Sequence, residues 1–182
     1  MSNFCNPISA NELAGELGLS SVATTKKFCD YLNELYLFFY LPRFNNKLKL
    51  KNKAPKKVFV VDNVFVQSTA FNLSENLGCL LENQVFVELL RRGYIPGQTL
   101  FYYRTRNDKE IDFVTRKGAK VEQLIQVCYD MTSEKTRKRE LDALVEAAEE
   151  LHCDNLLVIT NSQEEQIEWK DKVISIKYIG QF

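Results

Sequence analysis

Histidine, paired cysteines and long apolar runs are scarce or missing in this sequence of 182 residues. The single histidine is His152, and the five cysteines include no CxxC pair. Structural zinc sites need closely spaced cysteine and histidine ligands, so we expect no metal site of that class and free thiols suited to a reducing compartment. A membrane helix needs about 18 consecutive apolar residues, which the chain does not contain. These absences predict a cytoplasmic protein that does not contact a membrane.

Basic and acidic residues are equal in number over the whole chain, but they are unevenly distributed along it. Lysine plus arginine and aspartate plus glutamate both number 24, which excludes a wholly cationic nucleic-acid wrapper. Between Arg43 and Lys57, however, there are seven basic residues and no acid. Lysines at alternate positions in this segment predict a strand with one basic face, although an ordinary solvated surface would show the same pattern. These are Lys47, Lys49, Lys51 and Lys53.

The first 36 residues predict two helices joined by a tight turn. Ser9 and Glu12 have the spacing of a capping box, and Gly18 suits the turn. Ser20 or Ser21 would begin the second helix. An apolar stripe at helical spacing would bury this second helix. The stripe comprises Val22, Phe28, Tyr31, Leu32, Leu35 and Tyr36.

A strand and a hairpin are predicted to follow the two helices. Residues 37–41 are apolar enough for a buried strand, and residues 43–61 would form a two-stranded wing. Helix, turn, helix and hairpin together predict a winged helix-turn-helix domain over residues 1–65. The usual first helix of such a domain would lie upstream of this chain.

The second helix would be the recognition helix if this domain binds DNA. Its predicted solvent face carries Thr24, Thr25, Lys26 and Lys27. Arg43 and the four wing lysines would bind phosphate, adding affinity but no sequence specificity. Winged helices also bind proteins, so docking on another domain or partner is the alternative.

The rest of the chain predicts a connector over residues 66–76 and a second domain over residues 77–182. A helix ending at Gly93, and another beginning at Ser133, would enclose three strands. Two more strands would follow, separated by a polar, helix-like stretch that contains Trp169. The order α-β-β-β-α-β-β predicts an α+β or α/β domain with a mixed central sheet. The predicted strands cover residues 100–104, 110–114, 124–129, 155–160 and 173–178.

Three segments of the second domain carry a resemblance to a known family. They are GCLLENQVFVELLRRG at 78–93, FYYRTRNDKEIDF at 101–113 and LIQVCYD at 124–130. With Thr136 and Arg139-Glu140, they resemble the C-terminal region of a group of prokaryotic AAA-type ATPases. In that family a P-loop ATPase module precedes a winged helix, and a restriction-endonuclease-like PD-(D/E)xK domain of unassigned function closes the chain. The resemblance extends from Ile8 to about Ile179.

The chain has no GxxxxGK[ST] motif that could bind a nucleoside triphosphate. The resemblance therefore implies that it is the C-terminal piece of a longer ATPase, or acts with an ATPase module encoded separately. An ATPase module, in the same or a longer polypeptide, is the partner that we expect.

The resemblance also implies a nuclease-like site, which the sequence lets us judge residue by residue. Hydrolysis by such a site needs acids that hold Mg²⁺ and a lysine beside the attacking water. Glu82, or failing that Glu88, and Asp112 match the acidic positions. Where the motif strand should read acid-x-Lys, the chain has Gln126 and Cys128, which bring neither the anion nor the cation. We therefore interpret Glu82, Asp112, Gln126 and Cys128 as one vestigial pocket.

Other roles for these residues stay open at this point. A lysine from elsewhere could replace the missing cation, and Lys109, Lys117 and Lys120 are the candidates. Asp112 could instead be held by backbone donors or by Arg104. Glu82 could instead act as a cap or pair with Arg91 or Arg92.

Three functions are consistent with these features. The first is a non-catalytic accessory region of an AAA-type ATPase that binds DNA or a partner protein and needs no cofactor. The second is an active DNA nuclease with a rearranged site, which would need Mg²⁺ held by Glu82 and Asp112. The third is a protein-interaction module that binds no nucleic acid.

Overall fold

A computed structural model describes residues 4–45, 54–67 and 77–182 of the chain. None of the helices in these ranges is long and apolar enough to cross a membrane. The α-helices are α1 (Ala10–Glu16), α2 (Val22–Glu34), α3 (Asn63–Gln67), α4 (Leu77–Arg91) and α5 (Glu134–Leu151).

The strands form one small sheet and one large sheet. The small sheet is antiparallel, with the order β1-β3-β2, and the large sheet has the order β4-β5-β6-β7-β9-β8. In the large sheet β6, β7 and β9 are parallel to one another and the other pairs are antiparallel, so the mixed sheet predicted above is confirmed. The strands are β1 (Pro7–Ile8), β2 (Phe38–Pro42), β3 (Lys56–Val60), β4 (Leu100–Arg104), β5 (Glu110–Lys117), β6 (Lys120–Val127), β7 (Leu156–Thr160), β8 (Glu165–Trp169) and β9 (Lys172–Tyr178).

The predicted helix ends agree with the structure. The Glu12 backbone N–H donates to the Ser9 hydroxyl, and the Ser9 N–H donates to the Glu12 carboxylate, which completes the capping box. Ser21 caps α2, and Gly18 between the helices has a φ of 64°, which only glycine adopts without strain. Gly93, with a φ of 87°, follows the end of α4. Local sequence was sufficient for these ends because capping involves only neighbouring residues.

The prediction of which residues of α2 and its end are buried was wrong for four of the six residues of the stripe. Phe28 is 50% exposed and Tyr36 71% exposed, and Tyr31 and Leu35 are exposed as well. Thr25, predicted to face solvent, is fully buried and donates its hydroxyl proton to the Ser21 carbonyl oxygen. The row that turns inward also follows helical spacing, and it shares only Val22 and Leu32 with the predicted stripe. It consists of Val22, Thr25, Cys29 and Leu32.

Two hydrophobic clusters lie on opposite faces of the large sheet. The first packs α5 on the sheet, with Leu141 and Leu144 against Leu124 and Val158. Adjacent residues of β7 enter different clusters because side chains alternate along a strand. The first cluster is therefore formed within residues 77–182, apart from Phe44.

The second cluster joins the small sheet to α4 and to the other face of the large sheet. Phe59 of β3 stacks on Phe86 of α4, with ring centroids 4.2 Å apart and planes inclined by 7°. Leu41 of β2 and Phe113 of β5 are fully buried in the same cluster. The N-terminal hairpin strands and the C-terminal region thus share one core.

An asparagine of the LLEN string reinforces this connection. The Val60 backbone N–H donates to Asn83 Oδ1 at 2.9 Å, and Asn83 Nδ2 donates to the Val60 carbonyl oxygen at 3.1 Å. Asn83 is buried, and a buried amide needs hydrogen-bond partners. The backbone of β3 supplies one for its oxygen and one for its nitrogen. The side-chain amide thus accepts from and donates to the same β3 residue, as the backbone of a neighbouring strand would.

The polar stretch that was predicted to be helix-like is a strand. Residues 165–169 form β8, which pairs antiparallel with β9. The Trp169 indole N–H donates to Asp142 Oδ1 at 2.9 Å and connects β8 to α5. Exposed residues dominate β8, so its sequence had no apolar alternation to reveal a strand.

Candidate functional site

A buried lysine lies among three carboxylates at the junction of the two sheets and α4. Lys57 Nζ is 2.7 Å from Glu82 Oε1, 2.7 Å from Glu110 Oε1 and 2.8 Å from Asp112 Oδ1. The lysine is 1% exposed. An ammonium group has three protons to donate, so each can be paired with one carboxylate. We call these four residues the Lys57 cluster.

Each member of the Lys57 cluster is positioned by regular secondary structure. Lys57 and Phe59 occupy alternate positions in β3, so both point into the molecule. Glu110 and Asp112 alternate in the same way on β5. Glu82 lies on the buried side of α4. The cluster therefore joins the small sheet, the large sheet and α4.

The electrostatics of the cluster follow from its burial. Burial lowers the pKa of the Lys57 ammonium, but the charges of Asp112, Glu82 and Glu110 outweigh this effect and hold the pKa above its ordinary value. Burial, together with the charge of Asp112, raises the pKa of Glu82 despite the attraction of Lys57. Lys57 is therefore charged, and its single positive charge faces three acids, of which Glu82 keeps its proton to a higher pH than an ordinary glutamate.

Arg104 does not form an ion pair with Asp112. Arg104 Nε donates to Glu110 at 3.1 Å, and its Nη1 donates to Asp108 at 2.8 Å. Asp112 is instead held by Lys57 and by the Val127 backbone N–H, which donates to Asp112 Oδ2 at 2.9 Å. The alternative of backbone donors for Asp112 is thus confirmed, and the pairing with Arg104 is wrong.

The alternative in which Glu82 pairs with Arg91 or Arg92 is also wrong. Both arginines form ion pairs with Glu88, one helical turn away on the partly exposed side of α4. Glu82 lies on the buried side, where Lys57 is its partner. Glu88, the other acid that could have occupied the pocket, therefore lies outside it.

Gln126 forms a second polar group next to the cluster. Its side-chain nitrogen donates to Glu140 Oε2 at 2.7 Å, and its oxygen accepts from the Asp112 backbone N–H at 3.4 Å. Arg139 Nε donates to the other oxygen of Glu140 at 2.9 Å. Gln126 therefore links β5 to α5, and its amide satisfies the buried carboxylate of Glu140.

Cys128 directly follows β6, and its charged neighbours include Glu140 and Asp112. Its thiol donates to the Asp130 carbonyl oxygen at 3.2 Å, and it belongs to the hydrophobic cluster beneath α5. Burial, and then the charge of Glu140, raises the pKa of Cys128 to about 11. The thiol is thus protonated at neutral pH and supplies neither a ligand anion nor a cation at this position.

The carboxylates as placed do not fit a divalent cation. Glu82, Glu110 and Asp112 all point at the Lys57 ammonium, which occupies the space between them. In residues 4–45, 54–67 and 77–182 there is no group of three or more His, Cys, Asp or Glu side chains placed to hold a metal ion. A lysine ammonium of the chain thus stands where a cation would have to bind.

The predicted DNA-binding residues differ from one another in exposure. Thr24, Lys26 and Lys27 are exposed on α2, whereas Thr25 is buried as described above. Arg43 is partly buried, and its Nη2 donates to the Arg104 carbonyl oxygen at 2.8 Å. The wing lysines at positions 47, 49, 51 and 53 lie outside the residues that the structure describes.

Sequence reasoning missed Lys57 as a site residue. It counted Lys57 among the basic residues of the wing, and looked for a compensating cation at Lys109, Lys117 and Lys120. A signal was nevertheless present, since Lys57 has the same strand parity as the aromatic Phe59. A lysine in phase with a buried aromatic residue needs an internal anion.

Comparisons with known proteins support one family assignment. Residues 77–179 match the family described as "Domain of unknown function (DUF4143)". An uncharacterized protein of Methanocaldococcus jannaschii, MJ1544, is similar at 35% identity over 177 residues, covering 93% of this chain and 38% of its own length. An uncharacterized protein of Haemophilus influenzae is similar at 32% identity, covering 67% of this chain and 29% of its own length. The chain thus spans about a third of the length of these curated relatives.

One solved structure is also similar over part of the chain. It is a chain from the refined half-complex of the tetradecameric assembly of Thermococcus gammatolerans McrB AAA+ hexamers with bound McrC. The match has a TM-score of 0.39 and 12% identity, and covers 56% of this chain and 28% of the other. A likeness at this level carries no argument about fold or function.

Proposed function

Since this chain belongs to the DUF4143 family through residues 77–179, we propose that it is a non-catalytic accessory region of an AAA-type ATPase. In this proposal its N-terminal part is a winged helix and its C-terminal part a restriction-endonuclease-like domain without nuclease activity. The region gives the ATPase its contact with DNA or with a partner protein. The length of the curated relatives, which leaves room for a further module, is consistent with this role.

The observation that carries the proposal is the position of Lys57. Its ammonium lies within 2.8 Å of Glu82, Glu110 and Asp112, where a nuclease of this class would need a divalent cation. A lysine held by three carboxylates stabilises the contact between the small sheet and the rest of the molecule. It also removes these carboxylates from metal binding. The acids are then retained for structure and not for hydrolysis.

The neighbouring strand supports the same conclusion. Gln126 is occupied with Glu140, and the Cys128 thiol with the Asp130 backbone. Neither side chain can prime a water molecule for attack, because an amide is not a base and this thiol is protonated at neutral pH. The acid and the lysine that hydrolysis requires are both missing from this strand.

A nuclease assay tests the absence of catalysis. We expect the purified chain to leave supercoiled and single-stranded DNA intact in the presence of Mg²⁺ or Mn²⁺. The matched control is Asp112→Asn, which keeps the shape of the buried side chain and removes its charge. Cleavage by the wild type that disappears in Asp112→Asn would contradict the proposal, whereas cleavage that persists in this variant comes from a contaminant.

One observation favours the nuclease as a second candidate. The Lys57 ammonium is 2.8 Å from Asp112. β3 therefore places a lysine beside the acids, whereas the motif strand has Cys128 where its lysine is expected. In such an enzyme Lys57 would take the part of the missing lysine. Cleavage that depends on both Asp112 and Lys57 would establish this candidate and eliminate the first.

DNA binding is tested by removing the basic wing. We expect Lys47, Lys49, Lys51 and Lys53 changed together to alanine to weaken DNA binding at least tenfold at low salt. The slope of log affinity against log salt should fall by up to about 3.6, since each phosphate contact contributes about 0.9. Lys135→Ala with Lys138→Ala, which alters two exposed lysines of α5, is the matched control and should change neither quantity.

The same titration distinguishes DNA from a protein partner. An unchanged affinity in the wing variant would show that the wing does not contact DNA. No measurable binding by the wild type at low salt would favour the protein-interaction module. The exposed Phe28, Tyr31, Leu35 and Tyr36 side chains of α2 and its end are consistent with that function.

A further inference from the structure

Two cysteines meet at the junction between the N-terminal segment and α4. The Cys5 thiol lies 3.1 Å from the Cys79 carbonyl oxygen, and the Cys79 sulfur lies 3.8 Å from the Phe4 carbonyl oxygen. Each sulfur atom therefore approaches the backbone of the segment that carries the other cysteine. They are separated by 74 positions in the chain, so only the fold brings them together.

We propose that Cys5 and Cys79 form a peroxide-sensitive thiol pair that closes to an intramolecular disulfide. This modification site is independent of the function proposed above. The contacts of Cys128 and Cys153 are local by comparison, because each of these sulfur atoms approaches a carbonyl oxygen only two residues further along the chain.

The surroundings make Cys79 the reacting thiol. It is partly exposed, whereas Cys5 is 3% exposed, so a small oxidant reaches Cys79 first. Cys79 lies in the first turn of α4, where backbone N–H groups favour an anion. Its charged neighbours are Lys57 on β3, Asp112 on β5 and Glu82 on its own helix.

The titration of the pair agrees with this geometry. The hydrogen bond from Cys5, with help from the charge of Lys57, lowers the pKa of Cys79 to about 7 despite its partial burial. Burial, and then the same hydrogen bond, raises the pKa of Cys5. One thiol is therefore available as a thiolate near neutral pH while the other keeps its proton.

The backbone holds Cys5 in place for the second step. Its φ of 62° lies in the left-handed region, which a residue other than glycine rarely adopts. The Cys5 backbone N–H donates to the Val58 carbonyl oxygen at 3.0 Å, which fastens the segment to β3. Cys5 is thus fixed beside Cys79 before any oxidation occurs.

The reaction with hydrogen peroxide proceeds in two balanced steps. The Cys79 thiolate attacks one peroxide oxygen, an S–O bond forms, the O–O bond breaks, and hydroxide leaves. Cys5 then attacks the sulfenic acid sulfur, an S–S bond forms, and the S–O bond breaks. The displaced hydroxide takes the Cys5 proton and leaves as water. The two sulfur atoms together lose two electrons, which reduce the peroxide.

Thiol counting on the whole chain tests the pair. After treatment with hydrogen peroxide and unfolding, we expect the titratable thiols to fall from five to three. Peptide mapping without reduction should join the peptides of Cys5 and Cys79. Sulfenic acid trapping by dimedone should label Cys79 in Cys5→Ser at least about tenfold faster than Cys29.

Cys29→Ser and Cys79→Ser complete the experiment. Cys29→Ser retains the pair and should lose two of its four thiols on oxidation, whereas Cys79→Ser should keep all four. A wild-type chain that keeps five thiols would overturn the proposal. A disulfide between other cysteines, or equal labelling of Cys79 and Cys29, would overturn it as well.

Discussion

Lys57→Met should lower the free energy of unfolding by about 3–5 kcal/mol, the cost of removing one partner from a buried ion pair. Methionine keeps most of the unbranched apolar stem and lacks the terminal ammonium group. Glu82 and Asp112, however, lose the ammonium that lies 2.7 and 2.8 Å from them. Denaturation by urea, followed by circular dichroism, gives the difference.

The neighbouring lysine is the matched control for this prediction. Lys56 is on the same strand but exposed, so Lys56→Met should change stability by no more than about 0.5 kcal/mol. Adding Glu82→Gln and Asp112→Asn to Lys57→Met should restore part of the loss, because fewer buried charges are then uncompensated. A Lys57→Met chain as stable as Lys56→Met would mean that the cluster contributes little to the fold.

Phe86→Ala should cost about 3–5 kcal/mol of stability, since it removes a fully buried aromatic side chain. Phe86 stacks on Phe59 of the small sheet, so the cavity would open between the two parts of the shared core. Unfolding should remain one transition at lower denaturant concentration, the same by circular dichroism and by fluorescence of Trp169, the single tryptophan.

Phe28 provides the control for the aromatic substitution. It is 50% exposed on α2, and Phe28→Ala should change stability by about 0.5 kcal/mol or less. A Phe86→Ala chain in which fluorescence and circular dichroism report separate transitions would show that the two parts unfold independently. That result would contradict a shared core.

Local signals in the sequence were enough for the ends of several elements. Ser9, Glu12 and Ser21 cap helices through atoms three residues away or closer, and Gly93 follows the end of α4 with a positive φ. Such contacts do not depend on the remainder of the fold. They could therefore be predicted without knowing how the helices pack.

The buried face of α2 could not be predicted from local signals. One row at helical spacing contains Phe28, Tyr31 and Leu35, and the adjacent row contains Thr25 and Cys29. Hydrophobicity favours the first row, but the structure buries the second. Periodicity identifies a helix, whereas its buried face depends on the surface it packs against.

The sequence by itself determined the chemistry that the motif strand can offer, because Gln126 and Cys128 carry neither a carboxylate nor an ammonium. It also determined most of the strands of the mixed sheet. Only the tertiary structure decided which cation faces the remaining acids. Lys57 is 25 positions from Glu82 and 55 from Asp112, and side chains so far apart in the chain are brought within 3 Å only by the packing of β3 against α4 and β5. No local pattern encodes that distance.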